Sequence, residues 1–313
     1  MNLQPPLPPD THILLTGATG FVGTHITRAL LRDFPNIKLT LLDLERPEGW
    51  TPAGADISLL TADITSPEAV SAAFHAAAPI TAVIHTAGFV PVRSARYTQS
   101  AQSQAWSVNV EGTANVLTAA RECRVRAVVA TSSCTVVTDA VGRDWFNYAE
   151  DVNVEGPRLV YGETKAAAEE LLLAANTPDF ATCALRPSTL CGEGDYNLIP
   201  TILSCIPRET PFTLGSGLNL YDFTYAGNVA DAHVLALHNL LTTRTAAGLA
   251  IAITNGEPVP FRAFCLAVWR EVGHYPLFEV MVPRAVGWFA GCVAEGVGWL
   301  AGKEGAVSRG SVG

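Results

Sequence analysis

The chain has 313 residues, of which 49% are hydrophobic and 16% are charged, and its formal net charge is −9. That length accommodates one large α/β domain, or a nucleotide-binding domain with a smaller lobe, around a sizeable core. The negative charge, with no block of lysine or arginine to offset it, argues against the basic surface that nucleic-acid binding requires, so no nucleic-acid partner is expected.

Residues 1–10 form a proline-rich segment that we expect to be an extended tail, and they lack the basic and apolar regions of a signal peptide. From there to residue 187, short apolar runs alternate with helical patterns, which predicts βαβ units and a parallel sheet. The predicted strands are residues 12–16, 38–43, 57–63, 81–85, 125–132 and 182–186. The predicted helices are a segment that includes 26–31, then 67–77, 101–122, 163–175, 229–240 and 261–272.

A glycine-rich motif lies between the first predicted strand and the first predicted helix. Gly17 would permit a tight turn, Gly20 a close approach of the backbone to a pyrophosphate, and Gly23 close packing of the helix on the strand. The N–H groups at the start of the helix would then bind the phosphates. The alternative is an ordinary strand–helix turn without a ligand. As a cofactor site, the motif comprises Gly17, Thr19, Gly20, Phe21, Val22 and Gly23.

An acidic residue, Asp43, ends the second predicted strand 20 residues after Gly23. From that position a carboxylate can accept hydrogen bonds from the ribose hydroxyls of a dinucleotide. The same charge repels a 2′-phosphate, which favours NAD over NADP, although the nearby Arg46 weakens this preference. Asp63 and Ile64, after the third strand, are predicted to border the adenine. The alternative for Asp63 is an N-cap of the following helix.

Tyr161 and Lys165 are four residues apart and would lie on one face of a helix. An ammonium group beside a phenol favours the phenolate, as does the positive ring of an oxidised nicotinamide. A phenolate placed in this way could accept the proton of a substrate hydroxyl while hydride passes to the nicotinamide. The spacing is common by chance, and the alternative is a pair of surface residues. The dinucleotide motif upstream favours the catalytic interpretation.

Together these motifs resemble those of the extended short-chain dehydrogenases/reductases. The resemblance implies an α/β fold with a Rossmann-type doubly wound parallel sheet and a smaller C-terminal substrate lobe. Residues 11–187 would form the NAD-binding domain, and residues 188–313 would form the substrate lobe, partly interleaved with the sheet. The family's catalytic group consists of a serine or threonine after the fifth strand, a tyrosine and a lysine. In this sequence these are Ser133, Tyr161 and Lys165.

The resemblance also implies several supporting residues. Ala87 and Gly88 would flank the cofactor, and Pro187 would border the nicotinamide. Asn109 matches the helix asparagine that supports the site. His85 stands where many members of the family have asparagine, and we expect it to be a packed histidine at the end of a strand. Ser132 is the alternative to Ser133 as the catalytic serine.

Two later segments, residues 186–195 and 222–233, resemble the 3β-hydroxysteroid dehydrogenase branch, especially the sterol-4α-carboxylate 3-dehydrogenases. The resemblance implies NAD-dependent oxidation of a 3β-hydroxyl on a hydrophobic steroid or triterpenoid-like substrate, with loss of a 4-carboxylate as carbon dioxide where one is present. One alternative is action on a nucleotide sugar or a flavonol-type ketone. A second is a non-enzymatic NAD(P)-sensing protein, although such relatives tend to lose the Tyr–Lys pair. Members of the branch usually continue for some tens of residues beyond this sequence, and the absent segment would help to close the substrate lobe.

The remaining expectations concern partners and location. The seven cysteines have an odd count and no CxxC pair, which indicates reduced thiols in an intracellular protein and no metal site. Residues 280–301 are apolar but contain proline, charged residues and four glycines, which makes them a poor membrane span. They could instead touch a membrane surface or cover an apolar pocket, or belong to an ordinary core helix. We therefore expect a cytoplasmic protein or one peripherally bound to the endoplasmic reticulum, and the family resemblance also allows a homodimer.

Overall fold

The computed structural model describes residues 7–45, 56–91, 101–138, 159–206 and 212–283, together with 285–287 and 289. The strands are β1 (His12–Thr16), β2 (Lys38–Asp43), β3 (Ile57–Thr61), β4 (Ala82–His85), β5 (Ala127–Thr131), β6 (Ala181–Pro187), β7 (Thr189–Cys191), β8 (Phe212–Leu214), β9 (Leu220–Tyr221), β10 (Phe223–Tyr225), β11 (Ala250–Ile253), β12 (Val259–Pro260) and β13 (Val280–Val282). The helices are α1 (Phe21–Asp33), α2 (Pro67–Ala77), α3 (Gln102–Trp106), a π-helical turn (Ser107–Glu111), α4 (Gly112–Glu122), α5 (Thr135–Thr138), α6 (Val160–Ala174), α7 (Leu198–Leu203), α8 (Ala226–Leu241) and α9 (Phe261–Glu271).

Seven strands form the central sheet in the order β3-β2-β1-β4-β5-β6-β11, and all of its pairs are parallel. Every residue of β1, β4 and β6 is buried, which is typical of strands covered by helices on both faces of a sheet. The chain order reverses direction between β1 and β4, so the sheet is doubly wound. The predicted α/β fold of Rossmann type is therefore confirmed.

The two faces of the sheet carry separate hydrophobic clusters. Ile13 and Leu15 of β1 belong to the cluster that includes residues of α1 and α8. Leu14, which lies between them, belongs to the other cluster with residues of α2, α4 and α6. This alternation follows from the two-residue period of a strand. The helices thereby hold the strand ends, and the loops that follow them, in fixed relative positions.

Elements beyond residue 187 divide between the sheet and a smaller region. The helix α8 and the strand β11 pack on or pair with the central sheet. The rest includes three two-stranded pairings, β10 with β7, β12 with β9 and β13 with β8. A small cluster joins α7 to α9, where the Trp269 indole donates a hydrogen bond to the Ile202 carbonyl at 2.9 Å. The division at residue 187 stays a prediction.

Most predicted boundaries agree with the structure to within a few residues. Strands 12–16 and 38–43 and helix 67–77 have the predicted bounds. The predicted helix 101–122 is interrupted by the π-helical turn, and β11 had no predicted counterpart. Within the described ranges, no helix is both long and apolar enough to cross a bilayer. Most of the apolar stretch 280–301 lies outside the described residues, so membrane contact stays a prediction.

Candidate functional site

The carboxyl ends of four neighbouring strands, β1, β4, β5 and β6, meet at one edge of the sheet. Thr16 pairs with His85, and His85 pairs with Ala130, so these strands end at nearly the same level. In open α/β sheets, ligands bind at this edge, at the point where the strand order reverses. The loops that follow β1, β4 and β5 carry six of the residues predicted to form the site, namely Gly17, Thr19, Gly20, Ala87, Gly88 and Ser133.

Two glycines of the motif after β1 are packed too closely to accept a side chain. Gly17 has φ of +68°, and a Cβ placed on it would lie 2.6 Å from the backbone nitrogen of Ala87. A Cβ on Gly23 would overlap the carbonyl oxygen of Gly17. Gly20 is the N-cap of α1 and offers no side-chain acceptor to the first N–H groups of the helix. The N–H groups at the start of α1 are therefore suited to bind a phosphate.

Asp43 at the end of β2 holds this loop in place. Its Oδ2 accepts hydrogen bonds from the Thr19 backbone N–H and the Thr19 hydroxyl, each at 2.8 Å. Its Oδ1 accepts a hydrogen bond from the Leu44 N–H at 2.8 Å. The structure thus gives Thr19 a bond to Asp43 that the sequence interpretation missed, although the closeness of Asp43 to the loop was expected.

Asp63 and Ile64 lie in different surroundings. Asp63 is exposed, and its Oδ1 accepts a hydrogen bond from the Thr65 N–H at 2.9 Å. The N-cap of α2 is Ser66, whose hydroxyl accepts from the Ala69 N–H, so the alternative of Asp63 as N-cap is wrong. The Ile64 side chain is buried against Gly112. Contact of either residue with adenine stays a prediction.

His85, at the end of β4, is a buried and neutral imidazole. The Thr113 hydroxyl donates to the Asn109 carbonyl at 2.6 Å, so at 3.0 Å it must accept from His85 Nε2–H. His85 Nδ1 then accepts from the Thr16 hydroxyl at 2.7 Å. Burial, and to a lesser extent the charge of Lys165, lowers the pKa of His85 to about 3. The expectation of a packed histidine at the end of a strand is confirmed.

Asn109 lies in the π-helical turn and joins three segments at the site. Its Oδ1 accepts from the Phe89 N–H at 2.7 Å, and its Nδ2 donates to the Phe89 carbonyl and to the Thr164 hydroxyl, both at 3.0 Å. The neighbouring Gly88 lies against Lys165, because a Cβ there would be 3.2 Å from the lysine Nζ. Contact of Ala87 and Gly88 with the cofactor stays a prediction.

Lys165 is 9% exposed, and its Nζ donates a hydrogen bond to the Thr131 carbonyl at 2.9 Å. Burial lowers the pKa of this ammonium to about 8, and the carboxylate of Glu169 opposes the shift. Tyr161 lies one turn earlier, in the first turn of α6, and is half-buried. The structure thus places Tyr161 and Lys165 on one helix beside the end of β5.

The two serines after β5 differ in their hydrogen bonds. Ser132 donates its hydroxyl hydrogen to Glu169 at 2.6 Å. Ser133 accepts from both the N–H and the hydroxyl of Thr135, at 3.2 and 2.9 Å. Within the described part of the chain no group accepts the Ser133 hydrogen, which can therefore be donated to a substrate oxygen. This geometry favours Ser133 over Ser132 as the catalytic serine.

A buried ion pair at the site was not predicted from the sequence. Arg186, at the end of β6 and next to Pro187, lies 2.6 Å (Nη2) from Glu169 Oε1. Its Nε also donates to both carboxylate oxygens, at 3.2 and 3.0 Å. Two signals could have indicated it, namely the four-residue spacing of Glu169 from Lys165 and an arginine in an otherwise apolar strand, which requires an acidic partner.

Comparisons with known proteins match this chain to one family of dehydrogenases and to proteins of similar sequence or fold. The profile of the 3-beta hydroxysteroid dehydrogenase/isomerase family matches residues 14–283. The chain is 36% identical to sterol-4-alpha-carboxylate 3-dehydrogenase erg26, decarboxylating, of Schizosaccharomyces pombe, over 96% of this chain and 86% of the relative. It is 32% identical to 2-alkyl-3-oxoalkanoate reductase of Stenotrophomonas maltophilia, over 83% of this chain and 76% of the relative. Among solved structures, MoeE5 in complex with UDP-glucose and NAD is 25% identical with a TM-score of 0.67, over 87% of this chain and 85% of that one.

Proposed function

Because this chain belongs to the 3-beta hydroxysteroid dehydrogenase/isomerase family of oxidoreductases, we propose that it oxidises a 3β-hydroxyl group. The proposed substrate is a steroid or a triterpenoid-like molecule, and NAD is the proposed hydride acceptor. The observation that carries the proposal is the position of Lys165. Its ammonium is buried against Gly88 and the Thr131 carbonyl, one helical turn after Tyr161 and beside the loop of Ser133.

The proposed cofactor fits the residues at the edge of the sheet. Gly20, the N-cap of α1, carries no side chain where a pyrophosphate would approach the first N–H groups of the helix. In this proposal Asp43 binds the adenosine ribose, Lys165 binds the nicotinamide ribose and Pro187 borders the ring. When bound, NAD supplies a hydride acceptor. The charge of Asp43 disfavours a 2′-phosphate, which is why NAD is proposed over NADP; Arg46 lies outside the described residues.

The protein's own groups would handle the proton. The Tyr161 phenolate accepts the proton of the substrate hydroxyl as the carbon–hydrogen bond breaks and the carbonyl forms. With a pKa of about 8, Lys165 is mainly an ammonium at neutral pH, and its charge favours the phenolate. The Ser133 hydroxyl donates a hydrogen bond to the substrate oxygen, which orients the reacting carbon.

The names of two relatives share one chemical feature that supports a carboxylated substrate. A sterol-4α-carboxylate oxidised at C3 and a 2-alkyl-3-oxoalkanoate both have the reacting oxygen on the carbon β to a carboxyl group. Oxidation of such a β-hydroxy acid gives a β-keto acid, which loses carbon dioxide with little help from the protein. We therefore propose a 3β-hydroxy-4-carboxylate as the first substrate to test.

A nucleotide sugar is the second candidate, because the solved structure of MoeE5 contains UDP-glucose as well as NAD. A flavonol-type ketone is a further alternative of the same kind. The non-enzymatic, NAD(P)-sensing alternative is disfavoured because Tyr161 and Lys165 are both present and lie on one helix.

The test is a panel of 3β-hydroxy sterols and triterpenoids, with and without a 4-carboxyl group, assayed with NAD and with NADP. We expect NADH formation, and mass spectrometry should detect carbon dioxide loss only from the carboxylated substrates. No turnover of any sterol or triterpenoid would contradict the proposed substrate class, and UDP-sugars would then be tested.

The Tyr161→Phe variant tests the proton acceptor. We expect kcat to fall by about 10²- to 10⁴-fold, the usual contribution of a general base, while the affinity for NADH is retained. Tyr275→Phe, which alters an exposed tyrosine, is the matched control and should leave kcat unchanged. Equal turnover by Tyr161→Phe and the parent protein would exclude the phenol as the catalytic base.

A further inference from the structure

Ser132, Glu169 and Arg186 form a buried network beneath the proposed active site. Their exposed fractions are 6%, 6% and 9%. The Ser132 hydroxyl donates to Glu169 Oε2 at 2.6 Å, and Arg186 donates to both carboxylate oxygens through Nε. The Glu169 carboxylate therefore accepts hydrogen bonds from two different strand ends.

Each member of the network adjoins a residue of the proposed site. Ser132 directly precedes Ser133, and Arg186 directly precedes Pro187. Glu169 lies one turn of α6 after Lys165. The network therefore joins the loop after β5, the helix α6 and the end of β6, which are the three elements that carry these proposed site residues.

Stability alone gives little reason for a buried ion pair at this position. The desolvation of two charges usually offsets their attraction, and well-packed apolar residues often serve as well or better. A buried charged pair can instead fix the relative placement of the elements that carry it. The negative charge of Glu169 also favours the Lys165 ammonium, whose own hydrogen bond goes to an uncharged carbonyl.

We propose that the Ser132–Glu169–Arg186 network is a positioning unit that sets Ser133, Lys165 and Pro187 against one another, and that the Glu169 carboxylate keeps Lys165 in its ammonium form. The catalytic consequence rests on the proposed function. The network is not itself in contact with the reacting atoms in this proposal, so its three members are positioning residues.

The charged groups around Lys165 determine the expected electrostatic effect. Glu169 and Tyr161 lie one turn away on either side along α6, and Arg186 lies beyond Glu169. From β4, His85 is neutral and contributes no charge. Removal of the Glu169 charge would take away the carboxylate one turn from Lys165, which disfavours the Lys165 ammonium. The pKa of Lys165 should therefore fall further below its ordinary value.

The sequence makes this effect directly measurable. The chain has three lysines, Lys38, Lys165 and Lys303, so protein labelled with [ε-¹³C]lysine gives three NMR signals to follow with pH. The Lys165→Arg variant identifies the Lys165 signal. We expect Lys165 to titrate near pH 8 in the parent protein and about 1 pH unit lower in Glu169→Gln.

Two kinetic and binding measurements accompany the titration. In Glu169→Gln we expect kcat to fall by about 10- to 100-fold, because small displacements of reacting groups are costly, and the alkaline limb of the pH–rate profile should move to lower pH. The dissociation constant for NADH should rise by about tenfold, since Lys165 and Pro187 would both shift. Ser132→Ala leaves the ion pair intact, so it should lower kcat without changing the Lys165 titration.

Thr182→Val is the matched control. Thr182 is fully buried on β6, and its hydroxyl donates to the Leu172 carbonyl of α6 at 2.8 Å, so it joins the same two elements away from the site. We expect this variant to lose stability but to retain kcat, NADH affinity and the Lys165 titration. If Glu169→Gln unfolds, the double variant Glu169→Gln/Arg186→Met, in which both charges of the pair are replaced by uncharged side chains, takes its place. Its kcat and NADH affinity should still fall.

The outcomes separate this inference from the proposed function. If the parent protein turns over no sterol, the proposed function is contradicted. The Lys165 titration and the NADH dissociation constant do not require turnover, so they still test the positioning role of the network. The inference is wrong if Glu169→Gln matches Thr182→Val in NADH affinity, in the Lys165 titration and, where turnover is measurable, in kcat.

Discussion

At the scale of single residues, two buried histidines make the folded state sensitive to acid. Burial lowers the pKa of His85 to about 3 and that of His233 to about 4. The Thr131 hydroxyl donates to His233 Nε2, and His233 Nδ1–H donates to the Val229 carbonyl, so this imidazole is also held neutral. Protonation of either ring would require these hydrogen bonds to rearrange inside the core.

The sign of the pH dependence follows from these values. Between its ordinary pKa of 6.5 and its folded pKa, each histidine binds a proton in the unfolded chain but not in the folded chain. The stabilisation is therefore complete above about pH 6.5 and is lost as the pH falls towards 3 or 4. By linkage, His85 alone should contribute about 2 kcal/mol to the loss in the free energy of unfolding between pH 7.5 and 5.

The measurement is urea unfolding at pH 7.5, 6 and 5 for the parent protein and for His85→Asn. The asparagine can still accept from the Thr16 hydroxyl but cannot be protonated, so about 2 kcal/mol of the pH dependence should disappear. His75→Asn changes an exposed histidine of α2 and serves as the control. A parent protein equally stable at pH 7.5 and 5 would refute this assignment.

Residue-level prediction from the sequence succeeded where the signal was local. The glycine loop and Asp43 have fixed spacings around one strand–helix turn, so their placement at the edge of the sheet could be anticipated. The arginine within β6 indicated a need for an acidic partner, but which carboxylate pairs with Arg186 depends on how α6 packs against β6. The distinction between Ser132 and Ser133 likewise depends on which hydroxyl faces Glu169.

At the scale of elements, the π-helical turn explains why one predicted helix is interrupted. The segment Ser107–Glu111 contains no glycine or proline, so nothing in its composition indicates a break. The cause is tertiary, because the Asn109 side chain bonds both backbone groups of Phe89 and the Thr164 hydroxyl. Such single π-helical turns are frequent at functional sites.

Asn109→Ala should be more damaging than a typical loss of a polar side chain. It removes three hydrogen bonds and leaves both backbone groups of Phe89 without this partner, so we expect the free energy of unfolding to fall by about 2–4 kcal/mol. Asn115→Ala, which removes one bond to the Ile64 carbonyl, should cost about 1 kcal/mol. Urea unfolding of the two variants gives the comparison, and equal losses would show that the Asn109 bonds add nothing.

The strands also show that local sequence does not predict every element of the fold. Those with β-branched apolar runs between turn residues were predicted with nearly the observed bounds. The strand β11 has only four residues, Ala250–Ile253, and its identity as a strand comes from pairing with β6, which is some 60 residues earlier in the chain. Short apolar segments of this kind can be assigned only when their neighbour in the sheet is known.

At the scale of the whole molecule, the first six strands of the chain depend on residues that follow them. The helix α8 supplies Val234, Leu237, Leu240 and Leu241 to the cluster on one face of the sheet. The strand β11 covers the edge of β6. A fragment that ends near residue 187 would lack both and would expose an apolar sheet face and an unpaired strand edge.

We therefore expect the fragment 1–190 to aggregate or to unfold without cooperativity. The fragment 1–256 retains α8 and β11, and it should show a cooperative urea transition and bind NADH if the proposed cofactor site is correct. Circular dichroism and size-exclusion chromatography distinguish the two fragments. A cooperatively folded, monomeric 1–190 fragment would establish that the predicted domain at residues 11–187 is autonomous.

The late position of β11 in the sequence also affects how the chain can fold during its synthesis. The strands β1 to β6 leave the ribosome first, and they can pair with one another as they emerge. The free edge of β6, however, has no partner until Ile253 has been synthesised. At about 5–20 residues per second, that interval lasts several seconds. During this interval the nascent chain displays an apolar strand edge, so its fate in a cell depends on the pace of translation and on chaperone access as well as on the stability of the finished fold.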